Sequence, residues 1–170
     1  MDVSVLLADK GTANLQQGTL NLLNVGWTQT SLRVAGPMIP GGYLTQAQAI
    51  AIFFEVEHQH CNHQIELVLE LVNEDGQPVE LPGPVGPQAM RISQQIVVQS
   101  PAGMPIGSPG VGNALIEIIP GLAVPPGGYE WRVTLAGQHE ASWSARFRVL
   151  PPPSAPVFGA GLPAPPPAGQ

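Results

Sequence analysis

The densest metal-binding chemistry in the chain sits in one stretch, His58-Gln59-His60-Cys61-Asn62-His63. Imidazole and thiolate are good zinc ligands, and His58 and His60 would share a face if a strand ran that far. Four donors within six residues rarely wrap one tetrahedral ion, however. No second ligand pair exists elsewhere, and the remaining histidine, His139, stands alone. The stretch therefore reads as a polar turn between two strands, with no metal bound.

Glu55, Glu57, Glu66 and Glu70 form the second candidate, an acidic group across two neighbouring strands. Paired carboxylates do acid–base work when one of them is desolvated. These take the outward positions of amphipathic strands, which predicts a solvated face instead. Asn73-Glu74-Asp75-Gly76 lacks the further spaced carboxylates of a calcium loop. Gly107-Ser108-Pro109-Gly110-Val111-Gly112 lacks the Gly-Lys-Ser or Gly-Lys-Thr of a phosphate loop and opens no helix. There is no Gly-x-Ser-x-Gly elbow, and no Cys–His pair has an orienting partner. The sequence predicts no catalytic residue, no cofactor and no enzyme.

The elements that carry these segments read as strands. Val3 to Ala8 is a short apolar run, and Gly18 to Trp27 follows with Leu20, Leu22 and Val25 as inward residues. Ala47 to Glu57 places Ile50, Ile52, Phe54 and Val56 at even spacing. In Ile65 to Val72, the residues Ile65, Leu67, Leu69 and Leu71 alternate with Glu66, Val68, Glu70 and Val72. That period of two predicts one face on the core and one in water. Asp75-Gly76 supplies the positive φ of a hairpin turn, with Gln77 to Leu81 as the return strand.

Met90 to Gln99 and Ala114 to Ile119 are two more strands, separated by a loop rich in Gly and Pro. Gly128 to Ala136 and Ala141 to Leu150 form a last hairpin around Gly137-Gln138-His139. Tyr129, Trp131, Val133 and Leu135 would face Trp143, Phe147 and Val149 there. Eight to ten strands at roughly ten-residue spacing predict an all-β, antiparallel immunoglobulin-like sandwich over residues 1–150.

Twenty glycines and twenty prolines punctuate the apolar runs, as expected of short strands joined by turns. Only 11% of residues are charged, against about 25% in ordinary soluble domains. A surface so poor in charge repels other protein weakly, which suits a chain packed in an assembly; a bland peculiarity of composition explains it equally well. The net charge of −6 and the lack of a basic stripe predict no nucleic-acid partner. The one basic cluster, Arg132, Arg146 and Arg148, alternates with apolar residues on two strands, as outward sheet positions do. The single cysteine excludes an internal disulfide, and the acidic start Met1-Asp2 lacks the basic region of a secretory signal. No apolar run approaches the ~20 residues of a membrane span. The expectation is a protein of the host cytoplasm or of a virion assembled there, with no membrane partner.

Residues 151–170 differ in texture: rich in proline, without charge, and prone to polyproline II. Phe158 and Leu162 are the bulky anchors of this C-terminal arm and the expected contacts to a protein partner. A disordered tail is the alternative.

Three segments carry a resemblance. They are Val5-Leu6-Leu7-Ala8-Asp9 with Gly18-Thr19-Leu20-Asn21-Leu22-Leu23-Asn24-Val25-Gly26-Trp27, then Glu70-Leu71-Val72-Asn73-Glu74-Asp75-Gly76-Gln77-Pro78-Val79, then Pro125-Pro126-Gly127-Gly128-Tyr129-Glu130-Trp131-Arg132-Val133. In that order they resemble a family of small β-sandwich proteins of bacteria and their phages. The resemblance implies a sandwich over about residues 3–150 and supplies no catalytic residue to carry over. By analogy of fold, a sandwich with an extended arm also looks like the decoration, or cement, proteins of phage capsids. The expectation is a non-enzymatic structural or interaction module, an accessory protein of a phage virion. Its partners would be capsid or other virion proteins, or further copies of itself. The rival expectation is a cytoplasmic bacterial binding domain for a protein or small ligand, with a disordered tail.

Overall fold

The computed structural model describes residues 1–14, 18–36, 39–83 and 85–153. Its strands in chain order begin with β1 (Asp2–Ala8), β2 (Lys10–Asn14), β3 (Thr19–Leu23), β4 (Gln29–Ser31) and β5 (Arg33–Val34). There follow β6 (Tyr43–Leu44), β7 (Gln48–Val56), β8 (Gln64–Asn73), β9 (Glu80–Gly83) and β10 (Gly86–Ala89). The last are β11 (Arg91–Val97), β12 (Gly110–Ile118), β13 (Gly127–Leu135) and β14 (Ser144–Leu150).

Two sheets make the sandwich. One has the order β1-β7-β12 and the other β11-β8-β13-β14-β4, all antiparallel except the β14–β4 pair. This three-over-four arrangement, with a short parallel strand added at the end, is immunoglobulin-like. Strands β2 with β3, β5 with β6 and β9 with β10 form separate two-stranded ribbons. These ribbons raise the strand number above the eight to ten that hydrophobic spacing predicts, because most of their residues face solvent and leave little pattern.

The inward sides of both sheets supply the core. Ile50, Ile52 and Val56 from β7 meet Leu67, Leu69 and Leu71 from β8 and Trp131, Val133 and Leu135 from β13, all at most 1% exposed. Near the start of β13, the Tyr129 hydroxyl donates to the Pro125 carbonyl at 2.8 Å, as in the tyrosine corner of immunoglobulin-like domains. Burial, and then the nearby Glu74 carboxylate, push the Tyr129 phenol up. Trp143, Phe147 and Val149 are buried as the alternation of the last hairpin requires.

Three readings of the sequence are corrected. The run Gly18 to Trp27 is not a sandwich strand: β3 covers only Thr19–Leu23, pairs with β2, and leaves Val25 46% exposed. Asn24 and Gly26 adopt positive φ and break the run, which delivers Trp27 edge-on to Phe147 at 5.8 Å. Val68 and Val72 do not face water; they are 5% and 1% exposed. Ser93 and Thr134 flank Val68, and Pro78 and Glu130 flank Val72, so neighbouring strands close over both. The return after Gly76 is a single bridge at Pro78 before the chain leaves for β9 and β10.

Strand β12 also starts earlier than its apolar residues indicate, at Gly110 rather than Ala114. Gly112 lies across from Phe54, whose ring leaves no room for a Cβ. What reads as a glycine-rich loop in sequence is therefore partly a strand built for close packing.

Candidate functional site

The sandwich is closed along one side and open along the other. On the closed side β1 runs beside β14, and the Gly26 N–H donates to the Leu7 carbonyl at 2.8 Å. The inward Val3, Val5 and Leu7 there are at most 9% exposed. On the open side, among the described residues, β12 pairs with β7 alone. Among the described residues, no main-chain group of Gly110–Ile118 hydrogen-bonds to backbone other than β7.

The start of β12 meets the end of β11, since Gly110 lies against Val98. Along this flank the inward residues Ile92, Gln94 and Ile96 of β11 and Ala114 and Ile116 of β12 are only half-buried. Val97 and Val111 are exposed on the outer faces of their strands, and Met104 and Ile106 of the connecting loop are exposed as well, the isoleucine at 98%. Edge strands are normally blunted by lysine or proline. The sequence of β12, GVGNALIEI, contains neither. That absence was the signal in the sequence, and it is invisible until the strand is known to be an edge.

A second feature lies on the outer face of the β1-β7-β12 sheet. The β2–β3 ribbon sits on this face, with Gly11 against Leu115 and the outward Ala49 and Ala51 fully buried. Beside the ribbon is an open groove of about 940 Å³, lined by Ser4, Phe53 and Asn113 from the sheet and Thr19 and Leu20 from the ribbon. Asn113 Nδ2 donates to the Gly18 carbonyl at 2.7 Å and ties the ribbon to the sheet.

The chemistry-bearing residues of the sequence are dispersed. His58–His60 forms a short helical turn between β7 and β8, with His58 and His63 exposed. Cys61 instead points inward, 3% exposed, its thiol near the Glu57 carbonyl at 3.7 Å. Among the described residues, no three His, Cys, Asp or Glu side chains come together as a metal site. Glu55 and Glu66 do not share a face, because β7 and β8 belong to opposite sheets. The acidic group read across neighbouring strands is thus divided between two surfaces. Phe158 and Leu162 lie outside the described residues.

The basic cluster does assemble. Glu130, 8% exposed, accepts from Arg132 Nη2 at 3.3 Å and pairs with Arg146 Nε at 3.6 Å. Burial by itself would raise the Glu130 pKa. Hydrogen bonds from Ser144 and Arg132, with the charges of Arg132 and Arg146, outweigh it and hold the carboxyl below its usual range. A carboxyl with a lowered native pKa adds stability above its unfolded pKa of about 4.3 and loses it as pH falls through the native value. Glu130→Gln is therefore expected to flatten the acid side of the stability curve. Urea midpoints measured from about pH 6 down to pH 2 check this, an unchanged slope being the contrary result.

None of the family models, known proteins or solved structures compared with the chain matches it. No helix among the described residues is long and apolar enough to cross a membrane.

Proposed function

We propose that the chain is a non-enzymatic structural module of a protein assembly, joined to its neighbours along the open flank and through its C-terminal arm. The observation that carries this reading is the nine-residue strand β12, paired on one side only among the described residues, beside half-buried Ile92, Ile96 and Ile116. An unprotected edge with apolar surroundings invites pairing with another chain. Left without a partner, such an edge is a liability for non-specific pairing. The dispersal of the acids, histidines and buried thiol supports a role without catalysis, and the scarcity of charge supports close packing.

The setting is the accessory protein of a phage virion, a decoration or cement protein, a reading that rests on analogy of fold and on the extended arm. Deleting residues 151–170 is expected to leave the sandwich folded and to abolish attachment to isolated capsids, measured by co-sedimentation of full-length and shortened chains. Equal attachment of both would overturn the role of the arm, and attachment of neither would overturn the setting. The groove beside Phe53 favours a second reading, a bacterial binding domain for a small ligand. Gene neighbourhood separates the two: capsid and portal genes beside this one support the first.

A further inference from the structure

We propose that the open flank receives a strand from the arm of a second copy of this chain, residues 157–162 pairing antiparallel with β12. The proposal rests on the reading of the protein as an assembly module and names the contact between copies.

The longest proline-free run of the arm is Val157-Phe158-Gly159-Ala160-Gly161-Leu162, bounded by Pro156 and Pro163. In a strand, Phe158, Ala160 and Leu162 share one face and Val157, Gly159 and Gly161 the other. The first face offers two large apolar side chains at the spacing of a sandwich strand. The flank offers what such a face covers: Ile92 and Ile96 on one sheet with Gln94 between them, Ala114 and Ile116 on the other, none of them charged and all half-buried. The main-chain edge of β12 offers the ladder. Pro163 lacks a donor and would end the pairing.

Lengths agree. Six residues of strand span about 20 Å, which matches Asn113–Ile118 on β12. The spacer Pro151–Pro156, in polyproline form, adds roughly 19 Å. The placement of donor and acceptor suits a second copy. β14 ends at Leu150 beside β4 and close to β1, on the closed side, whereas the receiving edge is on the opposite side. A donor on one side and an acceptor on the other make a head-to-tail contact, which builds rings or rows from one kind of subunit.

Sedimentation velocity of the full chain at about 100 µM, where a contact with Kd near 10 µM is mostly formed, is expected to show assemblies that dissociate on dilution. A monomer throughout would overturn the proposal. The double substitution Phe158→Asp with Leu162→Asp removes the donor without touching the sandwich, and should give monomers. Ala114→Lys puts a charge into the acceptor flank and should also give monomers. Mixed in equal amounts, the two variants should form a one-to-one complex, since one keeps its edge and the other its arm. Assemblies that persist in the donor variant would overturn the proposal.

Should Ala114→Lys fail to fold, a peptide of residues 154–165 takes its place. It should dissolve the wild-type assemblies by occupying their edges, and no effect would count against the strand. Failure here is separable from failure of the assembly reading. Self-association tests copy-to-copy contact, whereas co-sedimentation with capsids tests attachment to a different protein.

Discussion

Trp131→Ala lowers the stability of the sandwich by about 3–5 kcal/mol, the usual cost of removing a large buried aromatic. The indole is fully buried at the middle of β13, flanked by Leu71 on β8 and Ala145 on β14. Its removal leaves a cavity between the sheets that the surrounding strands, fixed by their ladders, collapse into only partly. It also strips a partner from Gln48, itself 2% exposed, whose side-chain oxygen accepts from Trp131 Nε1 at 3.5 Å. The neighbouring change Arg132→Ala costs under about 1 kcal/mol, because the ion pair it removes is partly solvated. Urea denaturation of both variants measures the difference. A Tm loss of roughly 6–20 °C accompanies the tryptophan change at this domain size. The reverse order of costs would mean that β13 is displaced by one residue, since a single slip exchanges the two faces.

The same hairpin shows why some of the fold is legible in the sequence. Tyr129, Trp131, Val133 and Leu135 keep strict alternation because one side of β13 meets the core and the other meets arginines and solvent. β8 keeps it too, with Ile65, Leu67, Leu69 and Leu71 inward. Legibility fails where a residue's surroundings come from distant chain. Val68 and Val72 stand in positions that read as solvent, yet β11, β13 and Pro78 cover them. Leu20 and Leu22 read as core but pack the β2–β3 ribbon onto the back of a sheet, where only one side can be satisfied.

The open flank was the least legible feature. Hydrophobic period identifies a strand but carries no information on whether it has one neighbour or two. Ile116 and Ile52 look alike in sequence; the structure leaves the first half-buried and the second fully buried. Glu55 and Glu66 likewise read as neighbours because the turn at His58–His60 is short. A short connection between strands suits a hairpin and a sheet-to-sheet crossing equally, and here it crosses. The basic cluster succeeded in part: outward placement follows from alternation, but its burial of Glu130 needed the cross-strand register.

Gly121→Ala is expected to cost roughly 2–5 kcal/mol, from a positive-φ penalty and overpacking together. Gly121 has φ 137°, and an added Cβ would collide with the Thr45 carbonyl oxygen and crowd that of Gln46. These neighbours are main chain and cannot swing away as a side-chain tip does. The junction they belong to joins the end of β12 to the start of β7. Thr45, fully buried, donates its N–H to the Leu122 carbonyl and accepts the Leu122 N–H on its hydroxyl, both at 2.9 Å. Arg33 reaches the same place, with Nη2 donating to the Pro120 carbonyl at 2.7 Å. Moving Thr45 aside would break the buried pair and leave its groups without water, which costs more than the bonds themselves. Gly103→Ala is the control, with φ 75° and nothing within 4 Å of the new Cβ. It should lose only the conformational part, about 1–2 kcal/mol. Equal losses in the two variants would show that Gly121 is required for its backbone angle alone, and that the Thr45 junction yields to a methyl group.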